Sequence, residues 1–166
     1  QMKATGVPLS AVTRQVRTAM GVRCNVVPMT DDSVETIVET TDGALAFQDY
    51  FVRRQCQPVV RGFEYRGAAK AAANAELLDA LRSPTLEGVI LCPSNPWLSI
   101  APMLAMAELR TALQACPMPR IVVSPIVGGR AIKGPAGKLM AELGLEVSAL
   151  EIARHYSGIV DTIAID

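Results

Sequence analysis

Apolar and polar positions alternate along this chain in blocks that predict strands and helices in turn. In the clearest block, an apolar strand at 88–92 runs into a polar turn at 93–96. A helical region at 104–116 and a second strand at 120–124 follow. Strand, helix and strand in this order form a parallel crossover unit. Because parallel strands end at the same edge of a sheet, the loops after the two strands are expected to face one cleft.

The part of the chain before this unit is predicted to contain two helices and a hairpin. The strand-like runs lie at 24–27, 34–40, 45–47 and 59–65. Ser10 is a candidate N-cap for the first helix, and Asn74 caps a second helix that ends near residue 82. The Asp42-Gly43 pair is a strong hairpin signal. Beyond the crossover unit, Ser148 and Glu151 form a capping box for another helix, and an apolar run to residue 165 predicts a last strand.

The stretch at 121–140 carries the densest candidate chemistry. It contains Ser124, the Gly128-Gly129 pair, Arg130, Lys133 and Gly134, where a helix is predicted to begin. Glycines and cations ahead of a helix N-terminus favour anions, since free backbone N–H groups and the helix dipole attract negative charge. Glycines that only allow turns, with cations that only aid solubility, explain the pattern equally well. The stretch matches neither GxxxxGK[ST] nor GxGxxG.

Two further sites have competing interpretations. Asp31 and Asp32 follow the apolar run at 24–27 and could bind a metal ion through their carboxylate oxygens. Asp is also a good turn former, and a plain turn is the simpler interpretation. His155, the one histidine of the chain, is predicted at a helix end. A charged imidazole there would pair with the helix dipole, and a catalytic role is the alternative.

Composition and charge narrow the class of protein. Sixteen basic residues balance sixteen acidic ones, so charge gives no support for a nucleic-acid or membrane partner. No apolar run is long enough to cross a membrane, and no signal peptide precedes the first predicted element. The four cysteines form no CxxC pair, and Cys24 and Cys92 lie in apolar runs. Buried, reduced thiols in a cytoplasmic protein are therefore expected.

These features predict an α/β fold, with a three-layer, Rossmann-like, mostly parallel sheet and a small hairpin-containing insertion. Half of the 166 residues are hydrophobic, which is enough for one domain with a real core. We divide that domain into a helix, hairpin and insertion part at 1–86 and a nucleotide-binding crossover part at 87–166. The polar loops at one sheet edge indicate an anionic ligand.

Several short motifs occur along the chain in a characteristic order. They are PMTDD at 28–32, FQDYFVRR at 47–54, CPSNP at 92–96, SIAP at 99–102, SPIVGG at 124–129, KGPA at 133–136, His155-Tyr156 and Asp161. Together they resemble the CofD family, the 2-phospho-L-lactate transferases of deazaflavin coenzyme biosynthesis. The resemblance spans nearly the whole chain.

The resemblance implies a reaction and its ligands. A phospholactyl-type, or enolpyruvyl-phosphoryl, group would move from a GDP-activated donor to the ribityl hydroxyl of 8-hydroxy-5-deazaflavin (Fo). GMP would be released, with magnesium as cofactor, in the biosynthesis of coenzyme F-420. The implied nucleotide and phosphate ligands are Ser94, Asn95, Ser99, Ser124, Gly128, Gly129, Arg130, Lys133 and Gly134. Asp31 and Asp32 would bind magnesium or the acceptor, and no catalytic base is implied.

One departure from the family pattern matters. Family members are longer and open with a glycine-rich strand–loop–helix that is missing here. We therefore expect a fragment with little or no transferase activity alone, and an open sheet edge that favours a homo-oligomer. One competing hypothesis is a non-enzymatic, nucleotide-sugar-binding regulator of the related gluconeogenesis-factor group. Another is a folded piece that binds no nucleotide.

Overall fold

Two three-stranded sheets, one antiparallel and one parallel, organise the chain in a computed structural model that describes residues 6–166. The first half contains α1 (Leu9–Ala19), β1 (Glu35–Thr40), β2 (Gly43–Ala46), β3 (Val60–Arg66) and α2 (Ala75–Arg82). The second half contains β4 (Val89–Leu91), α3 (Ala101–Leu104), α4 (Ala107–Ala115), β5 (Arg120–Val123), β6 (Ile126–Val127), β7 (Arg130–Ala131), α5 (Ala136–Glu142), α6 (Ala149–His155) and β8 (Thr162–Ala164). Two π-helical segments lie at Asp49–Arg53 and Pro96–Ile100.

The parallel sheet is the centre of the α/β part. Its strand order is β4-β5-β8, and both neighbouring pairs run parallel. The connection from β4 to β5 passes through α3 and α4, and that from β5 to β8 passes through α5 and α6. Parallel neighbours require such crossovers, since a tight turn cannot join them. The predicted α/β, Rossmann-like fold is confirmed.

The antiparallel sheet is the predicted hairpin-containing insertion. Its order is β2-β1-β3, and the β1–β2 turn is closed by the Thr40 hydroxyl, which donates to the Gly43 carbonyl at 2.8 Å. Gly43 has φ +103°, a conformation that glycine adopts readily. β3 pairs with β1 along its length, with one irregularity at Glu39/Thr40. Burial along β1 departs from the predicted period of two, because the consecutive residues Ile37 and Val38 are both buried.

Side chains from both sheets meet in one apolar cluster. Its fully buried members include Val38, Val60, Val122, Leu139 and Ile152. Burial of each such side chain contributes roughly 1.5–3 kcal/mol. A second cluster joins α2 to α4 and contains Leu78, Met106 and Leu109. Because Val89 and Leu104 pack against both clusters, β4 and α3 connect the two.

Two predictions near the start of the chain are wrong. α1 begins at Leu9 after Pro8, and Ser10 lies in its first turn without capping it. The Ser10 N–H and hydroxyl instead donate to the Asp31 carboxylate, at 2.6 and 2.7 Å. No strand forms at 24–27, where the Arg17 guanidinium binds the Cys24 carbonyl in place of a neighbouring strand. An apolar run becomes a strand only where a partner strand is available.

Burial was also overestimated at the sheet edge. All four cysteines are free, but Cys24 and Cys92 are exposed, and of the four only Cys116 is buried. The strand at 88–92 is three residues long, and Ile90 is 65% exposed. The predicted helix at 104–116 is interrupted between α3 and α4.

Within residues 6–166, no helix has the length and apolar character needed to cross a bilayer.

Candidate functional site

The polar loops after β4 and β5 lie at the same edge of the parallel sheet. Leu91 pairs in register with Val122, so both strands end within a residue of each other. Ser94 and Asn95 follow β4, and Ser124 follows β5. The structure therefore brings these three predicted residues to one sheet edge, as the crossover pattern required.

Asn95 organises the first loop. Its side-chain Oδ1 accepts from the backbone N–H groups of Trp97 at 3.1 Å and Leu98 at 3.0 Å, capping the segment Pro96–Ile100. Its Nδ2 is buried and has no hydrogen-bond partner among the described residues. Ser99, implied above as a nucleotide ligand, lies exposed inside the segment and does not cap it. Its N–H donates to the Asn95 carbonyl at 3.0 Å. Asn95 is the better cap because its backbone is extended and its short side chain carries an acceptor oxygen. Pro96 follows it directly, and proline favours the first position of a helix.

Ser124 has a structural task in the second loop. It is buried, and its hydroxyl donates to the Ile126 carbonyl at 3.0 Å and accepts from the Ile126 N–H at 3.1 Å. Its own N–H donates to the Ala164 carbonyl at 2.9 Å. The hydroxyl therefore fixes the turn from β5 into β6, and only a local rearrangement would free it for a ligand.

The Gly128-Gly129 pair forms the tip of a hairpin between β6 and β7. Both glycines have positive φ, +54° and +74°, as a two-residue type I′ turn requires. Arg130 is the first residue of β7 and is exposed, and Lys133 is exposed two residues beyond that strand. The glycines thus turn a β-ribbon that projects from the sheet edge. Their binding roles stay a prediction.

A concavity of about 430 Å³ lies beside Gly134, where the chain enters α5. Its walls are Phe51, Gln55, Cys56, Gly134, Pro135 and Lys138. The Lys138 ammonium donates to the Pro58 carbonyl at 2.9 Å and pairs with Glu142 at 2.5 Å. The sequence analysis missed Lys138 as a site residue. Its spacing of four residues from Glu142 predicts only a helical ion pair, and nothing local indicates a cavity wall.

The electrostatics of this concavity favour neutral groups beside one cation. Burial raises the pKa of the Cys56 thiol, and the nearby Lys138 charge opposes that shift. Burial also raises the pKa of Tyr50, whose ring centroid lies 5.9 Å from the Lys138 nitrogen. The Cys56 thiol is therefore protonated at neutral pH, and Lys138 is the charged group that an incoming anion would meet.

A family model described as 2-phospho-L-lactate transferase CofD matches residues 1–166. The chain belongs to the CofD family. The resemblance drawn from its motifs is therefore confirmed.

Curated relatives agree with this family. The 2-phospho-L-lactate transferase of Methanosarcina mazei is 35% identical over 161 residues, covering 97% of this chain and 52% of the relative. That of Methanopyrus kandleri is 39% identical over 155 residues, covering 93% and 49%. A phosphoenolpyruvate transferase of Streptomyces griseus is 38% identical over 173 residues, covering 100% and 53%. The chain spans about half the length of the curated relatives it matches.

A solved structure agrees with the fold. A crystal structure of a UPF0052 family protein from Bacillus halodurans superposes with a TM-score of 0.62 at 16% identity. The match covers 98% of this chain and 49% of that one. At this identity the likeness concerns the fold alone.

The magnesium ligands implied by the CofD resemblance have other partners. Both Asp31 oxygens accept from Ser10, and hydrogen bonding from its side chain holds the pKa of Asp31 below its usual value. The Asp32 carboxylate accepts from the Ala72 N–H at 2.8 Å. Among residues 6–166, no three His, Cys, Asp or Glu side chains are grouped to bind a metal ion. These contacts join Asp31 and Asp32 to distant parts of the chain, and their role toward magnesium or the acceptor stays a prediction.

An aromatic cluster lies directly after the Asn95 loop of this CofD chain. The His155 ring centroid is 5.1 Å from that of Trp97 and 4.9 Å from that of Tyr156. The Tyr65 hydroxyl donates to the Trp97 carbonyl at 2.7 Å. Burial of one side of the imidazole lowers the pKa of His155, so the ring is neutral at pH 7. His155 lies in the last turn of α6, as expected, and its role there stays a prediction.

Proposed function

We propose that this chain forms the nucleotide-binding part of a CofD transferase. The enzyme would move a phospholactyl-type, or enolpyruvyl-phosphoryl, group from a GDP-linked donor to the ribityl hydroxyl of Fo in coenzyme F-420 biosynthesis. The observation that carries the proposal is the family match over the whole chain. Relatives named 2-phospho-L-lactate transferase and phosphoenolpyruvate transferase support it.

The proposed reaction is a substitution at phosphorus. The ribityl hydroxyl oxygen bonds to the phosphorus that carries the three-carbon acid and loses its proton. The bond from that phosphorus to the bridging oxygen breaks, and GMP leaves with that oxygen. Positioning of the two substrates and positive charge near the phosphoryl oxygens are what such a transfer requires of a protein.

The residues at the sheet edge and beside α5 would meet these requirements in different ways. Ser94 and Asn95 would contact the nucleotide from the loop after β4. Lys133 and Arg130 are exposed cations, free to turn toward a diphosphate. We propose that magnesium enters with the donor diphosphate, since it commonly binds through one or two carboxylates plus substrate phosphates. No step of the reaction is assigned to it.

A thermal-shift titration with GDP and magnesium tests the nucleotide site, with UDP-N-acetylglucosamine as the competing ligand. We expect a GDP-selective rise in melting temperature, since a ligand at 100 times its Kd stabilises by about 2.7 kcal/mol. Lys133→Gln should weaken the GDP effect. Lys70→Gln is the matched control, because Lys70 is exposed in the turn before α2.

Each outcome of the titration decides between the competing hypotheses for the function. A preference for UDP-N-acetylglucosamine would favour the nucleotide-sugar-binding regulator over the transferase. Equal loss in Lys133→Gln and Lys70→Gln would remove Lys133 from the site. Absence of any nucleotide effect would show that this chain does not form the nucleotide site by itself, which would overturn the proposal as stated.

We further propose that the chain alone does not turn over Fo. The chain spans 49–53% of the length of these three relatives, and we propose that residues outside the matched length complete the active site. Mass-spectrometric detection of the phosphorylated deazaflavin product measures this directly. Steady product formation by the 166-residue chain would contradict the proposal.

A further inference from the structure

We propose that Tyr65 is a positioning residue for Asn95 and acts on it through Trp97. By holding the Trp97 carbonyl, the Tyr65 hydroxyl keeps the side-chain amide of Asn95 in the orientation in which it would meet a nucleotide. The inference deepens the proposed function and rests on it for the nucleotide, whereas the positioning itself can be measured without any ligand.

The Trp97 carbonyl has no partner inside its own helical segment. In a π-helix each carbonyl accepts from the N–H five residues later, and the Pro96 carbonyl does so from Ala101. The corresponding partner of the Trp97 carbonyl is Pro102, which has no N–H. Trp97 is only 9% exposed, and a buried carbonyl without a partner is costly. This acceptor therefore has to be satisfied from another part of the chain.

The Tyr65 hydroxyl satisfies it from the antiparallel sheet. Tyr65 lies in β3, opposite Thr36 of β1, and its hydroxyl donates to the Trp97 carbonyl at 2.7 Å. Burial raises the pKa of Tyr65 to about 12, so the hydroxyl keeps its proton at neutral pH and serves as the donor. This hydrogen bond spans 32 residues and ties the hairpin-containing insertion to the segment that follows the polar loop after β4.

Trp97 transmits this restraint to Asn95. The Trp97 N–H donates to Asn95 Oδ1 at 3.1 Å, and the Leu98 N–H donates to the same atom at 3.0 Å. Because the side-chain amide is planar, holding Oδ1 also fixes the direction of Nδ2. Nδ2 is buried and has no partner among the described residues, so it is the Asn95 donor left for a ligand. A displaced Trp97 backbone would turn this donor.

His155 cannot supply the same restraint. Its ring centroid lies 5.1 Å from that of Trp97, so it contacts the indole ring and makes no hydrogen bond to the Trp97 backbone. An indole held at its edge still allows the peptide unit to rotate. The hydroxyl of Tyr65, rather than the aromatic packing around Trp97, is therefore the group that sets the position of the Asn95 cap.

Removing only the hydroxyl tests the inference. Tyr65→Phe should raise the Kd for GDP with magnesium about tenfold, measured by isothermal titration calorimetry. Without nucleotide, the Leu98 amide depends on the Asn95 cap, and its hydrogen exchange should become about tenfold faster. Tyr50→Phe is the matched control and should change neither, because the buried Tyr50 hydroxyl contacts the Cys56 carbonyl at 3.4 Å.

A second substitution separates positioning from packing. Pro102→Ala supplies the missing N–H, which can donate to the Trp97 carbonyl when the Tyr65 hydroxyl is absent. We expect the double variant with Tyr65→Phe to recover both the GDP affinity and the slow Leu98 exchange. Pro102→Ala alone should resemble the original chain, with its fold checked by circular dichroism. A purely packing role of Tyr65 would not be rescued in this way, since Tyr65→Phe leaves the ring in place.

The outcomes separate this inference from the proposed function. Unchanged Leu98 exchange in Tyr65→Phe, an equal effect of Tyr50→Phe, or a double variant without recovery would overturn the positioning role. Faster Leu98 exchange with an unchanged Kd would overturn its link to the nucleotide. Absence of GDP binding by the original chain would overturn the proposed function, while the Leu98 exchange, measured without nucleotide, would still support or overturn the positioning of Asn95.

Discussion

At the scale of single residues, Asn95 and His155 show how packing decides what a polar side chain does. The Oδ1 atom of Asn95 serves the backbone of the following helical segment, while its Nδ2 is left without a partner among the described residues. His155 lies at a helix end but packs against Trp97 and Tyr156. The partners of Asn95 are the next residues of the chain, whereas the Trp97 ring beside His155 comes from a distant part of the chain.

Replacing Asn95 should separate its capping role from its amide. Asn95→Ala removes both accepted hydrogen bonds and should lower the free energy of unfolding by about 1 kcal/mol. Asn95→Asp keeps an acceptor oxygen and should remain close to the original stability. Urea denaturation followed by circular dichroism measures both. Equal destabilisation by the two substitutions would contradict the capping role.

His155 should make the chain less stable in mild acid. Its pKa is lowered in the folded state, so its contribution to stability is fully present above the ordinary value of about 6.5. That contribution is lost as pH falls through the folded pKa, because the unfolded chain binds the proton more readily. NMR titration of the imidazole gives the pKa, and His155→Gln should remove this part of the pH dependence. A pKa at or above 6.5 would contradict the desolvated packing.

At the scale of elements, the β6–β7 hairpin and the ends of β5 and β8 fix how the strands pair. The β6–β7 hairpin depends on two left-handed glycines. The amino ends of β5 and β8 are joined by Arg120 and Asp161: the guanidinium donates to both carboxylate oxygens, at 3.1 and 2.6 Å. The Asp161 N–H in turn donates to the Arg120 carbonyl at 2.8 Å. This pairing fixes the register of the two strands at the end opposite the polar loops.

The hairpin tip should tolerate asparagine better than alanine. A non-glycine residue in the left-handed region costs roughly 1–2 kcal/mol of stability. The cost is smallest for asparagine, because its short side chain can hydrogen-bond to the nearby backbone. We therefore expect Gly128→Ala to lower stability by about 1 kcal/mol and Gly128→Asn by much less. Thermal denaturation of the two variants measures the difference. If both were equally stable, the turn would not be type I′.

The Arg120–Asp161 pair should contribute less stability as the solution becomes acidic. Hydrogen bonding from the Arg120 side chain lowers the pKa of Asp161 in the folded state. Its contribution is present above the unfolded value of about 3.9 and is lost as pH falls through the folded pKa. The melting-temperature gap between the original chain and Asp161→Asn should therefore be widest near pH 7 and narrow below pH 4. A gap independent of pH would assign the effect to something other than the charge.

At the scale of the whole molecule, the sequence correctly predicts those features that depend on local patterns of residues. The crossover unit, the Asp42-Gly43 hairpin and the Asn74 cap all follow from spacing and turn chemistry, and each is confirmed. Cys92 is expected to be buried, yet both Cys92 and Ile90 in the same apolar run are exposed, because burial depends on which strands surround β4. No rule based on the strand's own residues contains that information.

The candidate site divides in the same way. The loops with Ser94, Asn95 and Ser124 were placed correctly at one edge, since parallel strands dictate it. Lys138 was missed because its cavity is assembled with Cys56 and Phe51, which come from a distant part of the chain. Asp31 and Asp32 share a motif with the family, but contacts to Ser10 and Ala72 occupy them here. Sequence spacing cannot show that a side chain already has a partner.

The Lys138–Glu142 pair on α5 has a consequence for the time course of folding. The Glu142 carboxylate accepts from the Val60 N–H at a separation of 82 residues, and Lys138 donates to the Pro58 carbonyl at a separation of 80. Closing so long a loop is entropically costly before the contacts form, so this junction should assemble after the local hairpin and crossover. Stopped-flow kinetics of Glu142→Gln should then show faster unfolding with nearly unchanged refolding. Slowed refolding would place the junction in the folding nucleus. The contact between α5 and the start of β3 would then form before folding is complete elsewhere.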